Sequence, residues 1–156
     1  MSRFALNSRI FSFLRFSLYS LFLLLSVGLG ACGLSRERRG IPADVEARIG
    51  TVSDDISAER YEKIYNEASD LWKRDSTLEQ STQTLKTLRT KLGKVESRAL
   101  NSAKEMNNAS GPLKGHFYIV TYRTKFERAE GMETYTLIEY DHQWLLARYF
   151  VNSTAL

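Results

Sequence analysis

The chain has 156 residues, 43% hydrophobic and 26% charged, with two histidines and a single cysteine. That balance excludes a disordered chain, and one cysteine excludes an internal disulfide, so an apolar core must hold the fold together. The net charge of +4 is unevenly placed: Arg3, Arg9 and Arg15 lie in the first 31 residues, which hold no Asp or Glu, so 19 of the 22 basic residues face 18 acidic ones beyond them. A nucleic-acid binder keeps its basic excess in the folded domain. The expected partners therefore include no nucleic acid.

Met1 to Arg15 is basic, Phe16 to Val27 (FSLYSLFLLLSV) is apolar, and Gly28 to Ala31 is rich in small residues. This is the order of a cleaved secretory signal. A membrane span needs about 20 apolar residues, more than this run offers. Leu29-Gly30-Ala31-Cys32 resembles the lipobox of bacterial lipoproteins, with the only cysteine at the acceptor position. The resemblance implies cleavage between Ala31 and Cys32. It also implies a diacylglyceryl group on the Cys32 sulfur, reached through its thiolate, and an N-acyl chain of the palmitate kind. More than one acyl chain gives lasting membrane attachment, at about 0.8 kcal/mol per buried methylene. Gly33 stands where inner-membrane lipoproteins of enteric type carry aspartate, which implies the periplasmic face of an outer membrane. The expected organisation is a signal peptide over residues 1–31, a lipidated tether over 32–41 and one α+β domain over 42–156. Gly33 to Gly40 (GLSRERRG) reads as a solvated tether, or alternatively as one whose Arg36, Arg38 and Arg39 rest on anionic headgroups.

Pro42 to Ile49 predicts a short helix with Pro42 at its first position. A longer helix is predicted over Ser57–Lys73, capped by Ser57, with Tyr61, Ile64, Tyr65, Ala68, Leu71 and Trp72 on one stripe. Ser76-Thr77-Leu78-Glu79 reads as a capping box opening another helix, which Gly93 closes. Beyond Gly93 the period becomes two. Lys94–Met106 is a weak strand, Asn107–Gly115 a loop, His116–Phe126 a strong strand, Glu130-Gly131 a turn and Met132–Tyr140 a strand. Asp141-His142-Gln143 is a tight turn, and Trp144–Val151 the last strand. Tyr118, Val120, Tyr122 and Phe126 are expected to face the helices; Phe117 and Ile119 lie on the other side. Helices followed by neighbouring strands give α+β: two to three N-terminal helices on a curved antiparallel sheet of about four strands.

Several separated motifs occur in order: Arg89 to Arg98 (RTKLGKVESR), Tyr122 with Phe126, Glu133-Thr134, Asp141 with Trp144, and Tyr149-Phe150. Together they resemble the domain-of-unknown-function family 4019. The resemblance spans roughly Tyr61 to Asn152 and implies a small cystatin-like, or nuclear-transport-factor-like, fold, with no activity attached. The family's turn usually has glycine where this chain has His142.

The chemistry of the sequence is sparse. His116 and His142 have no metal-ligand neighbours at useful spacing, so no metal is expected. No base accompanies a nucleophile, and no phosphate-binding glycine loop is present. Glu133 is the best candidate for a carboxylate inside the cone of helices and sheet; the structural alternative is an ion pair with Arg98 or Arg123. Tyr61, Tyr65, Trp72, Tyr118, Tyr122, Trp144 and Phe150 line either a cleft or simply the core. The candidate cleft or structural residues are thus Glu133, Arg98, Tyr122 and Trp144. The expected function is a non-enzymatic binding or assembly module on a membrane, without a cofactor beyond its lipid, serving a protein partner or small ligand. The alternatives are an enzyme or ligand carrier using the cone, and a homodimer through an apolar patch at Phe117 and Ile119.

Overall fold

The structure is a computed structural model that describes residues 35–37 (backbone only), 40–111 and 113–156. The chain divides into two compact units, Met1–Cys32 and Gly33–Leu156. The expected signal, lipobox and Cys32 lie outside the described residues, and every described helix and strand belongs to the second unit.

Helix α1 runs from Ala43 to Ser57. Pro42 precedes it, and Asp44 and Glu46 place negative charge in its first turn, where the helix dipole favours it. The expected end at Ile49 is too early. Val45, Ile49 and Val52 form a buried stripe that continues past Gly50, and that packing outweighs the weak helix propensity of glycine. Ser57 therefore ends a helix rather than capping one.

The single helix expected over Ser57–Lys73 is two short ones, α2 (Tyr61–Asn66) and α3 (Asp70–Asp75). The break has a partner in the sheet: the Ser69 amide donates to the Leu146 carbonyl at 3.0 Å instead of continuing the helix. Helix α4 spans Leu78–Leu92. Its capping box sits one residue later than Ser76–Glu79 suggests. The Thr77 hydroxyl accepts from the Gln80 amide at 3.2 Å, and the Gln80 side chain accepts from the Thr77 amide at 3.0 Å. Gly93, at φ +80°, closes the helix as expected.

The strands are β1 (Ser35–Glu37), β2 (Val95–Asn108), β3 (Gly115–Phe126), β4 (Glu130–Tyr140) and β5 (Gln143–Asn152). They form one antiparallel sheet in chain order. Four long strands and four helices make the described unit α+β. Three expectations are corrected. Ser35–Glu37 is not purely solvated tether, because its backbone pairs with Lys104–Met106. The loop expected over Asn107–Gly115 is shorter at both ends, since Asn108 and Gly115 are paired strand residues. Glu130-Gly131 begins β4, and the turn falls before it, where the Phe126 amide donates to the Ala129 carbonyl at 2.8 Å. The β4–β5 hairpin is closed by Asp141 (φ +48°) and His142 (φ +61°). Asp and His are among the residues that tolerate this left-handed region, so the turn forms without glycine.

The register places Tyr118, Val120, Tyr122, Thr124 and Phe126 on the helix side, and Tyr118 and Val120 are fully buried. They pack with Val45, Ile49, Val52, Ile64, Leu85, Leu137 and Leu146 in the main core. A smaller cluster of Leu92, Phe126 and Val151 closes the far end. Of the expected aromatic set, Phe150 lies outside the core at 63% exposure, because it is on the opposite face of β5.

Candidate functional site

Glu133 lies in β4 on the helix side of the sheet and has no exposed surface. A carboxylate so placed must be matched by donors or neutralised. Arg98 of β2 supplies two N–H groups, Nε to Oε2 and Nη2 to Oε1, the second at 2.7 Å. Thr124 of β3 donates to Oε2 at 2.9 Å. Tyr135 and Tyr149 donate to Oε1 at 2.8 and 2.7 Å. The guanidinium also donates from Nη1 to the Ser53 hydroxyl on α1, and from Nη2 to the Tyr135 oxygen at 3.0 Å. Strands β2 to β5 thus meet at one carboxylate, and helix α1 joins them through Arg98.

This packing sets the electrostatics. Burial and the neighbouring Glu133 charge hold the Tyr135 phenol well above its ordinary value. Burial does the same for Tyr149, reinforced by Tyr135 and Glu133. For Arg98 burial acts downward, but the hydrogen bonds and charge of Glu133 prevail and raise it. All three groups keep their protons at neutral pH. Two carboxylate oxygens offer about four lone-pair sites, and five protein donors already point at them. The acceptor sites of Glu133 are filled within the protein. Beside Arg98 and Tyr149 the remaining space, walled by Ile56, Leu85, Leu92 and Phe126, is about 20 Å³. That holds about one water molecule.

Arg98 and Glu133 are therefore brought together, and the ion-pair alternative is the one realised. Arg123 is not the partner; it is exposed, on the opposite face of β3. Tyr122 is half-buried beside the network, its ring edge against Tyr135 at 6.2 Å. Trp144 is elsewhere. Its indole donates to Asp44 at 2.8 Å, at the α1 N-terminus, and its ring meets His116 at 5.1 Å. Sequence reasoning missed Ser53, Thr124, Tyr135 and Tyr149. The last three share the two-residue alternation of the helix-facing side with Glu133, which was a readable signal; Ser53, on a helix expected to stop earlier, gave none.

Two other polar clusters stand apart. Asp55, 2% exposed, receives Arg60 Nε at 2.7 Å and Lys63 Nζ at 2.9 Å. His116 bridges two carboxylates, Nδ1 to Glu139 at 2.5 Å and Nε2 to Glu105 at 2.9 Å. Among the described residues no group of three or more His, Cys, Asp or Glu is placed to hold a metal. On the outer face a groove of about 120 Å³ lies between Leu71, Met106, Leu113, Phe117, Ile119 and Ala147. Phe117, at 5% exposure, forms its buried floor.

The arrangement defines a small α+β domain braced by a buried polar network. The family model for proteins of unknown function called DUF4019 matches residues 51–149, well over half of the chain, and the chain belongs to that family. No curated protein matches it.

Proposed function

We propose that the chain is a bacterial lipoprotein, anchored by acyl chains on Cys32 at the periplasmic face of the outer membrane, and that its domain is a non-enzymatic binding or assembly module. The helices cradled by an antiparallel sheet fit a cystatin-like, or nuclear-transport-factor-like, architecture. One observation carries the functional half of this reading: the buried Glu133 carboxylate on the helix side of the sheet is saturated by five protein donors, next to space for about one water. Small-ligand sites usually occupy about 300 Å³ or more. The interior thus favours a scaffold that binds through its surface. Among the described residues no helix is long and apolar enough to cross a membrane, and the anchor rests on the Leu29–Cys32 resemblance.

Two measurements test the two halves. Labelled palmitate should enter the wild-type chain and not Cys32→Ala; equal labelling of both rejects the anchor. Crosslinking in native cells should capture a defined protein partner, or a second copy of the chain. Capture of neither, with turnover or retention of a small metabolite by the purified domain, rejects the binding module in favour of the ligand-carrier or enzyme alternative.

A further inference from the structure

The position of β1 has a consequence for how the domain meets a membrane. Ser35 pairs opposite Met106, near the end of β2, with Arg36 opposite Glu105 and Glu37 opposite Lys104. The chain thus reaches the sheet at the end where Asn108 pairs with Gly115 and where Tyr140 pairs with Gln143 at the β4–β5 turn. Cys32 is three residues before Ser35, a reach of at most about 11 Å. An anchor on Cys32 therefore brings this end of the sheet, rather than the domain at large, within reach of the lipid surface.

This end is also the one that presents apolar side chains from two separate loops. Leu113, between β2 and β3, is 42% exposed, and Tyr140, at the β4–β5 turn, is 67% exposed. Lys114 is exposed beside Leu113. An aliphatic residue, a tyrosine and a lysine together suit the headgroup boundary, where aromatic rings sit at the interface and lysine meets phosphate. The opposite end of the sheet holds the turn Glu127–Ala129, roughly 40 Å away along the twelve-residue β3.

We propose that the end of the sheet carrying Leu113, Lys114 and Tyr140 rests on the phospholipid surface that holds Cys32, with β1 acting as a splint that fixes the orientation. The inference rests on the lipoprotein reading and adds the docking surface to it. The consequence is that Phe150 and the Glu127–Ala129 end remain directed away from or along the membrane, open to a partner, while the outer-face groove, one wall of which is Leu113, lies at the membrane side.

The test uses the full lipidated chain in vesicles of phosphatidylethanolamine and phosphatidylglycerol. Leu113→Cys, Tyr140→Cys and Arg128→Cys, each at an exposed position, receive an environment-sensitive fluorophore; Cys32 is blocked by its own lipid. Nitroxide-labelled phospholipid should quench the probes at 113 and 140 several-fold more than the probe at 128. Equal quenching at all three sites, with acyl chains on Cys32 verified by mass spectrometry, overturns the docking surface and leaves the anchor standing. Absence of the acyl mass from Cys32 overturns both.

Discussion

Replacing Glu133 with glutamine changes one atom and tests the whole interior. With the amide oxygen at the Oε1 position, it still accepts from Arg98 Nη2, Tyr135 and Tyr149. The amide NH2 then occupies the Oε2 position and faces Arg98 Nε and the Thr124 hydroxyl. Thr124 can rotate and accept; Nε cannot. The flipped amide is worse, since it sets a donor against three. Either way a guanidinium with only 20% of its side chain exposed loses its counter-charge. Removing one partner of a buried pair costs about 3–5 kcal/mol. The residual exposure of Arg98 places the expected loss near the lower figure. That is a large share of the about 5–15 kcal/mol of a typical domain. Urea unfolding of the chain from Gly33 onward, followed by circular dichroism, reads the loss directly. The double variant Arg98→Met with Glu133→Leu should lose less than the sum of its singles, because no unpaired charge remains, although the Tyr135 and Tyr149 hydroxyls then lack their acceptor. A loss below about 1 kcal/mol for Glu133→Gln, or a double variant as unstable as the sum of its singles, refutes the reasoning.

Asp55 should govern part of the acid limb. Burial acts to raise its pKa, but the hydrogen bonds and charges of Lys63 and Arg60 prevail and hold it below the ordinary 3.8. A depressed carboxylate contributes stability that is present above its unfolded pKa and is lost as pH falls through the folded one. Asp55→Asn should cost about 1–2 kcal/mol at pH 7, because both cations are half-exposed, and should flatten the unfolding profile below pH 4. His116 has the opposite sign. Burial acts to lower it, yet Glu139 and Glu105 prevail and raise it above 6.5. Its contribution is full below pH 6.5 and fades as pH rises through the folded value, so the His116 ring protons should titrate above 6.5 by NMR and His116→Gln should remove that slope. At Gly131 an added Cβ would stand 2.7 Å from the Asn152 carbonyl oxygen. Gly131→Ala should therefore lower stability by about 1–3 kcal/mol in the same unfolding assay.

The strands were legible because their signals are local. His116–Phe126 alternates aromatic and β-branched residues, and its helix-facing set is the buried one. The hairpin at Asp141-His142 was legible as a turn, though not as a left-handed one. The errors fall where a distant partner decides. Near Ser69 the local hint is only an N-cap residue followed by Asp70; the acceptor that decides the break is the Leu146 carbonyl 77 residues on. Gly50 and Ser53 look like the end of a helix until Val52 is seen packed in the core. The pairing of Ser35–Glu37 with β2 was hidden by composition, because Arg and Glu read as solvent. In the interior the Arg98–Glu133 pair was anticipated, but not the three hydroxyls that complete it on the sheet.

The interior network also has an order of necessity. Tyr135 and Tyr149 fill the core, and a buried phenol needs an acceptor. Glu133 serves both from the same face of the sheet. Its charge then needs a counter-charge, which the bidentate fork of Arg98 supplies. Of its remaining N–H groups, one on Nη2 reaches the Tyr135 oxygen and one on Nη1 reaches Ser53. The last step carries the bond from the sheet to α1. Apolar packing of Val45, Ile49 and Val52 holds α1 on the sheet without fixing its register; a hydrogen bond to a guanidinium held by three other bonds adds a directional constraint. The Arg98–Ser53 bond therefore adds a constraint on where α1 sits. This is the polar-specificity role that buried ion pairs fill in some folds. Under the proposed binding role, a helix held in one place gives the surface one shape.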